Sequence, residues 1–187
     1  MSSRFDIIET PLEGLCVIQR KPIGDARGYF ERVFCSIDLQ SLINCKPIVQ
    51  INHTSTASRG TVRGMHFQYP PHAEMKLVSC FRGKVFDVAV DLRQNSPTFL
   101  CWHAEILSAD NHKTLYIPEG FAHGFQACTD DCELLYCHTA SFHPESEGGV
   151  HALDPRLAIQ WPLPVKEQSR RDAAHPLIGN GFHGVSI

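Results

Sequence analysis

Between residues 61 and 80 the sequence places five ionisable side chains among apolar residues: Arg63, His66, His72, Glu74 and Lys76. The flanking runs have the composition of β-strands, in which alternate side chains point to the same face, so Arg63 and Lys76 can both face inward. Burying such groups in a sheet-lined cavity costs free energy, and several of them converging indicate a site more than a solvated surface. This segment therefore predicts a functional site in a sheet-lined cavity.

A second motif, Pro118-Glu-Gly-Phe-Ala-His123, has the form PxGxxH and resembles the second signature of the cupin superfamily. The first cupin signature, HxHxxxxE, is incomplete here because the chain reads His66-Phe-Gln68. His66 and His123 could still join His72 and Glu74 around a first-row metal ion. Lys76 and the nearby arginine would crowd such an ion with positive charge, so a metal centre is the weaker alternative.

The elements that must position these residues read as short strands. From residue 77 to 139 apolar runs recur about every ten residues, separated by turn residues such as Gly83 and Asn95-Ser-Pro97. This spacing predicts an all-β sandwich or barrel formed by one domain, residues 1–187. Ser36 to Leu42 is the best helix candidate, residues 54–59 read as a polar loop, and the Gly-rich tail after Pro176 is predicted to be loose.

Composition limits the partners. The formal net charge is −3, so no overall positive field favours nucleic acid or an anionic membrane. No apolar run approaches the ~20 residues of a membrane span, and the first residues lack the form of a signal peptide. The eight cysteines form no CxxC pair, which predicts buried free thiols in a reducing compartment and therefore a cytoplasmic protein.

An ordered set of motifs points to one family. The set consists of Arg63-Gly-Met-His-Phe-Gln68, Glu74-Met-Lys-Leu-Val78, Asp87-Val-Ala-Val-Asp-Leu-Arg93, Ser96-Pro-Thr98, Tyr116 to Phe125, Asp154-Pro155 and Ile159-Gln-Trp-Pro162. Together these motifs, within a match over about residues 5–177, resemble the dTDP-4-dehydrorhamnose 3,5-epimerase family. The resemblance implies a cupin-type double-stranded β-helix, a jelly-roll barrel, with a few short helices and neither metal nor cofactor.

The chemistry of that family is removal of a proton beside the C4 ketone of a nucleotide-linked sugar and its return on the other face. Such chemistry needs a base, a cation near the enolate oxygen and an acid opposite the base. By resemblance His66 is the base, Asp172 orients it, Lys76 faces the enolate oxygen and Tyr136 is the acid. Asp87 and Asp91, on an apolar strand, are expected to bond Arg93 or loops.

The resemblance also implies a binding surface for a nucleotide diphosphate sugar, most simply a dTDP-sugar. Arg27 would reach the diphosphate, across the interface of a homodimer formed by strand exchange. The other substrate-binding residues implied by the resemblance are Gln50, Asn52, Arg63, His123, Glu147 and Arg171.

Three positions depart from the family pattern and leave alternatives open. Arg32 stands where members generally have glutamate, and Ile51 replaces a frequent acidic residue. Both changes concern nucleotide contacts, so the resemblance supports the sugar chemistry more strongly than it supports thymine as the nucleotide base. Phe142 stands where many members have a second tyrosine, which leaves open inversion at C3, C5 or both. The remaining alternatives are a single-centre epimerase or ketoisomerase of another nucleotide sugar, a metal-dependent cupin and a non-catalytic sugar-binding cupin.

Overall fold

The computed structural model describes residues 4–187, and its regular structure is almost entirely β. The strands are β1 Phe5–Glu9, β2 Cys16–Arg20, β3 Ile23–Asp25, β4 Gly28–Phe30, β5 Gln50–Thr56, β6 Val62–Gln68, β7 Lys76–Arg82, β8 Lys84–Asp91, β9 Trp102–Ser108, β10 Lys113–Ile117, β11 Phe121–Ala127, β12 Cys132–His138 and β13 Glu147–Gly149. A 3-10 helix, Pro144–Ser146, and one short α-helix, α1 Arg170–Ala173, complete it. None of the helices in this part of the chain has the length and hydropathy that crossing a membrane requires.

Two antiparallel sheets face each other. The first has the strand order β1-β2-β10-β7-β12-β5 and the second β13-β6-β11-β8-β9, while β3 and β4 form a separate hairpin. Neighbouring strands are mostly distant in sequence, as in a barrel closed by crossover connections. The prediction of an all-β, cupin-type jelly-roll barrel with a few short helices is confirmed.

Both faces of the central strands are buried, so side chains of opposite parity enter different cores. Val78 and Leu134 of the first sheet meet Val85 and Phe125 of the second in the space between the sheets. Leu77 and other residues of opposite parity form a core on the outer side of the first sheet. Polar side chains that share parity with the inner apolar residues must therefore point between the sheets.

The C-terminal segment covers the outer face of the second sheet. Ile178 and Val185 pack with Val88 and Val90 on the outer side of the second sheet. The backbone of Val185 also donates a hydrogen bond to that of Leu92, the residue after β8, from Val185 N to Leu92 O at 2.6 Å. The tail after residue 176, which was expected to be loose, thus has buried anchors on the barrel.

The helix predicted at Ser36 to Leu42 is wrong: residues 36–45 form a run of turns. Leu39 and Ile43 are buried against the first sheet, so tertiary packing rather than helix propensity shapes this segment. The predicted loop 54–59 is also partly wrong, because β5 continues through Thr56. All eight cysteines are free, although Cys45 and Cys101 are exposed rather than buried.

Candidate active site

A cavity of about 840 Å³ opens between the two sheets. Strands β5, β7 and β12 supply lining residues from the first sheet, and β6 and β11 from the second. All but two of the predicted site residues line it: Asn52, Arg63, His66, Lys76, His123, Tyr136, Glu147, Arg171 and Asp172. The volume is in the range of cavities that enclose small ligands, so the predicted residues share one site that could hold a substrate.

His66 and Asp172 form a close pair although 106 residues separate them, with His66 Nε2 and Asp172 Oδ1 2.8 Å apart. Asp172 lies on α1, where its backbone N–H donates to the N-cap residue Ser169, from N to Oγ at 3.0 Å. Its second carboxylate oxygen accepts from the backbone N–H of Gly64 at 3.2 Å. His66 and Gly64 therefore hold the two carboxylate oxygens, the bond to Ser169 holds the backbone of Asp172, and the carboxylate in turn fixes the imidazole.

The electrostatics of the pair keep Asp172 ionised. Burial by itself raises the pKa of this carboxyl group, but the hydrogen bond and charge of His66 and the bond from Gly64 outweigh it and hold the pKa at about 2. Arg171 lies beside the pair and bonds Glu147 on β13, from Nη1 to Oε1 at 3.0 Å. A carboxylate that stays ionised is suited to orient a neighbouring base and to balance its charge when it accepts a proton.

This arrangement predicts a pH-dependent contribution of Asp172 to stability. Because its folded-state pKa lies below the ordinary value of 3.8, the contribution of about 2 kcal/mol is present above pH ~4 and is lost as the pH falls towards ~2. The difference in unfolding free energy between wild type and Asp172→Asn should therefore shrink by about 1 kcal/mol from pH 5 to pH 3. Urea titrations of both proteins measure it, and a pH-independent difference would contradict the assignment.

Lys76 is buried on β7 and its ammonium is held by two acceptors. Its Nζ lies 3.1 Å from Oε1 of Glu74 and 3.3 Å from the carbonyl oxygen of His66. The contact with the backbone of His66 places a fixed positive charge next to the predicted base. A cation in that position can stabilise an oxyanion that forms when a neighbouring C–H bond loses its proton.

Tyr136 faces the cavity from the opposite side to His66. It lies on β12 of the first sheet, whereas His66 lies on β6 of the second. Burial, and to a lesser extent the charge of Asp87, raises the pKa of the Tyr136 phenol. The phenol is therefore protonated at neutral pH, as a proton donor must be.

His123 forms a second histidine–carboxylate pair, with Asp87: His123 Nε2 lies 2.9 Å from Asp87 Oδ1. Asp87 is fully buried, and burial raises its pKa. The expectation that Asp87 bonds Arg93 or a loop is therefore wrong, while Asp91 does pair with Arg93, from Nη2 to Oδ2 at 2.8 Å. Asp87 shares parity with Val85 and Ala89, which the structure places on the inner face of the second sheet.

Two predicted residues are not among those that line the cavity. Gln50 reaches it indirectly, because its Nε2 donates to Asn52 Oδ1 at 3.2 Å. Arg27 lies on the exposed β3–β4 hairpin and bonds Asp25, from Nη2 to Oδ2 at 2.6 Å. The single chain therefore does not bring this arginine to the rest of the site.

The three departures from the family pattern lie in different places. Phe142 lines the cavity, and its backbone N–H donates to Gln50 Oε1 at 3.0 Å. Arg32 bonds Asp38, from Nη1 to Oδ2 at 2.8 Å, and Ile51 is exposed. Only Phe142 can touch a ligand in the cavity of its own chain.

Sequence reasoning missed two histidines near the site. His138 lines the cavity, and His175 stacks edge-on against His66 with ring centroids 5.4 Å apart. His138 shares parity with Tyr136 and Leu134 on β12, so strand alternation could have found it. No local signal marks His175, because it follows α1 in a segment of irregular structure.

Fold and site together define a cupin-type barrel enzyme in which a histidine–carboxylate pair and a protonated phenol face each other across a cavity. The model of the dTDP-4-dehydrorhamnose 3,5-epimerase family matches residues 9–180. The chain belongs to this family.

Relatives and solved structures agree. A dTDP-4-dehydrorhamnose 3,5-epimerase of Salmonella typhimurium is 42% identical over 174 residues, which cover 92% of this chain and 94% of that protein. The crystal structure of a dTDP-6-deoxy-D-glucose-3,5-epimerase from Legionella pneumophila, in complex with dTDP-4-keto-L-rhamnose, superposes with a TM-score of 0.88 at 42% identity and 92% coverage of both chains. A dTDP-4-dehydrorhamnose 3-epimerase of Streptomyces niveus is 40% identical over 163 residues, 86% of this chain and 78% of that protein.

Proposed function

We propose that the protein epimerises a dTDP-linked 4-keto-6-deoxyhexose, converting dTDP-4-dehydro-6-deoxy-D-glucose to dTDP-4-dehydro-L-rhamnose. The observation that carries the proposal is the position of His66 and Tyr136 on opposite sheets of one cavity. Inversion at a carbon requires that the proton leave one face and return to the other, so two proton-transfer groups must flank the sugar ring.

In the proposed step His66 takes the proton from the carbon beside the C4 ketone. The electron pair of the broken C–H bond moves into the new C–C double bond of an enolate, whose oxygen carries negative charge near Lys76. Tyr136 then donates its proton to the same carbon on the other face. His66 releases its proton to solvent and the tyrosinate regains one, so protons balance over the cycle.

The nucleotide end of the substrate is assigned to the polar rim of the cavity. Asn52 belongs to the first sheet and Arg63 to the second. The Glu147–Arg171 ion pair lies beside the catalytic base His66. Arginine side chains are suited to phosphate oxygens because they donate several hydrogen bonds in a planar fork. Phe142 offers a half-exposed ring that can stack on a base or sugar.

Deuterium exchange tests the proposed function. Incubating the protein with dTDP-4-dehydro-6-deoxy-D-glucose in D2O is expected to incorporate solvent deuterium at both C3 and C5, counted by mass spectrometry and assigned by NMR. Exchange at one carbon alone would indicate a single-centre epimerase, an outcome to which the Streptomyces niveus relative and Phe142 give weight. A non-catalytic sugar-binding protein would incorporate none.

We also propose a homodimer in which Arg27 of one subunit completes the cavity of its partner. The β3–β4 hairpin exposes Ile23, Tyr29 and Phe30 at 49%, 60% and 69%. A hairpin that presents apolar side chains and packs against so little of its own chain is typical of an interface. Arg27 at its tip is 89% exposed, and its guanidinium, which pairs with Asp25 of the same hairpin, is open to a phosphate of a second subunit's ligand.

Mixed dimers test the role of Arg27. Arg27→Ala is expected to lower kcat/KM about tenfold through loss of a charge-assisted hydrogen bond, and His66→Ala is expected to be inactive. A heterodimer of these two chains, purified with two different tags, contains one site with both groups intact. It should recover about half of wild-type kcat/KM if Arg27 acts across the interface.

The same measurement can contradict the assignment. Recovery of only a twentieth of wild-type activity would mean that Arg27 serves its own chain, and a monomeric protein in light scattering would remove the dimer altogether. Arg82→Ala is the matched control, because Arg82 is also exposed and pairs with the carboxylates of Asp131 and Glu133. That control is expected to leave kcat/KM unchanged.

A metal-dependent cupin enzyme is the second candidate. One observation favours it: single ligand atoms of His66, Asp172 and His175 lie within 4.8 Å of one another. Arg171 opposes it, because its Nη2 lies 3.4 Å from His66 Nε2 and would repel an ion. Metal analysis of the purified protein distinguishes the two candidate functions, since stoichiometric iron, manganese or zinc that His66→Ala removes would support the metal enzyme.

The free cysteines support the proposal that the protein is located in the cytoplasm, a reducing compartment.

A further inference from the structure

A continuous chain of hydrogen bonds runs from Lys76 to the rim of the cavity. Lys76 Nζ bonds Glu74 Oε1 at 3.1 Å, and Glu74 Oε2 lies 2.8 Å from His138 Nδ1. His138 Nε2 lies 3.3 Å from Asn52 Nδ2, and Asn52 Oδ1 accepts from Gln50 Nε2 at 3.2 Å. The chain ends where the backbone N–H of Phe142 donates to the carbonyl of the same glutamine, at 3.0 Å.

Only one assignment of donors satisfies every link of this chain. The carboxylate of Glu74 can only accept, so His138 must donate from Nδ1, and its neutral Nε2 then accepts from the amide of Asn52. Asn52 thereby turns its carbonyl oxygen to Gln50, whose own carbonyl oxygen meets the N–H of Phe142. A backbone N–H can only donate, so the N–H of Phe142 fixes the donor-to-acceptor direction of every hydrogen bond in this series.

Burial makes this series of hydrogen bonds rigid. The side chains of Glu74, Lys76 and His138 are each only 9% exposed. Although burial alone raises the pKa of Glu74, the bond from His138 and the charge of Lys76 keep that pKa below its ordinary value, so the carboxylate is ionised. A buried ion pair with every partner in place is costly to rearrange, because any loss leaves a charge without its bond. Strands β7, β12 and β5, which carry Lys76, His138, Asn52 and Gln50, are also adjacent in the first sheet.

We propose that Glu74 and His138 are a positioning pair that holds Lys76 for the enolate oxygen and, through Asn52, joins that lysine to the nucleotide-binding rim. The inference rests on the proposed function, and neither residue is expected to touch the reacting carbon. Two consequences follow. Reversing donor and acceptor at Glu74 should lower the affinity for the nucleotide through His138 and Asn52. Breaking one of the two contacts of His138 should affect only the function that this contact serves.

Two substitutions of His138 separate those steps. Asparagine places its amide nitrogen near the position of Nδ1 and keeps the bond to Glu74, whereas glutamine can reach the position of Nε2 and keeps the contact with Asn52. His138→Asn is expected to raise KM and the Kd for dTDP about fivefold with kcat unchanged. His138→Gln is expected to lower kcat about tenfold with the Kd for dTDP unchanged.

His53 provides the matched control. It lies on β5 of the same sheet and contacts Glu133, from Nε2 to Oε2 at 3.3 Å, but it is exposed and does not line the cavity. His53→Asn and His53→Gln are expected to leave kcat, KM and dTDP binding unchanged. If the two His138 variants change kcat and KM alike, or change neither, the positioning role is overturned and His138 is a structural residue.

Glu74→Gln tests the chain by a binding measurement that needs no turnover. A glutamine that keeps its carbonyl oxygen on Lys76 turns its amide towards His138, which forces His138 and Asn52 to reverse their roles against the fixed N–H of Phe142. Calorimetry is expected to show a Kd for dTDP about fivefold higher than in the wild type. An unchanged Kd would overturn the inference, including in the case where the His138 variants do not fold. Absence of deuterium exchange in the wild type would instead refute the proposed epimerase and leave this binding test valid.

Discussion

Replacing His66 by alanine is expected to lower solvent deuterium exchange beside the C4 ketone of dTDP-4-dehydro-6-deoxy-D-glucose about a thousandfold. His66 is the basic side chain fixed by the ionised Asp172, and the backbone of the same residue bonds Lys76. Removing the imidazole leaves the cavity without the group that accepts the substrate proton. The Kd for dTDP should stay within about twofold of the wild type, because the proposed nucleotide contacts lie on other residues.

The measurement is a time course of deuterium incorporation with equal protein concentrations, together with calorimetric binding of dTDP. His72→Ala is the matched control: His72 comes from the same segment, stacks on His143 and does not line the cavity. The control should exchange at the wild-type rate. Retained exchange in His66→Ala would refute the assignment of the base, and loss of dTDP binding would show that the variant disturbs the whole site.

Replacing Tyr136 by phenylalanine is expected to separate exchange from inversion. His66 still removes the proton and can return one from solvent to the same face, so deuterium should continue to enter. The opposite face has lost its donor, and we expect the formation of the epimerised product to fall about a hundredfold or more. The substitution removes a single hydroxyl group from a partly buried side chain, so the barrel should remain folded.

NMR analysis of the recovered sugar nucleotide distinguishes exchange with retention from exchange with inversion. Tyr69→Phe is the matched control, since Tyr69 packs edge-on against Phe67 and does not line the cavity. Wild-type inversion in Tyr136→Phe would assign the proton donor elsewhere. If exchange and inversion fell together, the phenol would contribute to forming the enolate rather than only to protonating it.

The sequence predicts the barrel well because its information is local and repeated. Apolar runs that recur about every ten residues from 77 to 139, separated by turn residues, predict a series of short strands, and β7 to β12 occupy this region, from residue 76 to 138. Alternation within those strands places Lys76, His123 and Tyr136 on the same face as Val78, Phe125 and Leu134, but both faces of these strands are buried, so only the structure shows that this face lies between the sheets. The helix predicted at residues 36–42 fails for the opposite reason, since packing of Leu39 and Ile43 on a distant sheet decides that segment.

By itself, then, the sequence determines which side chains share a face of each regular strand, and the family resemblance adds their expected roles at the site. Only the tertiary structure decides the partners: that Asp172, 106 residues away on a four-residue helix, reaches His66, and that Glu74 joins Lys76 to His138. It also decides that Arg27 projects from an exposed hairpin instead of reaching its own cavity. The physical reason is that strand alternation is a property of consecutive residues, whereas ion pairs depend on chain crossovers that bring distant segments within hydrogen-bonding distance.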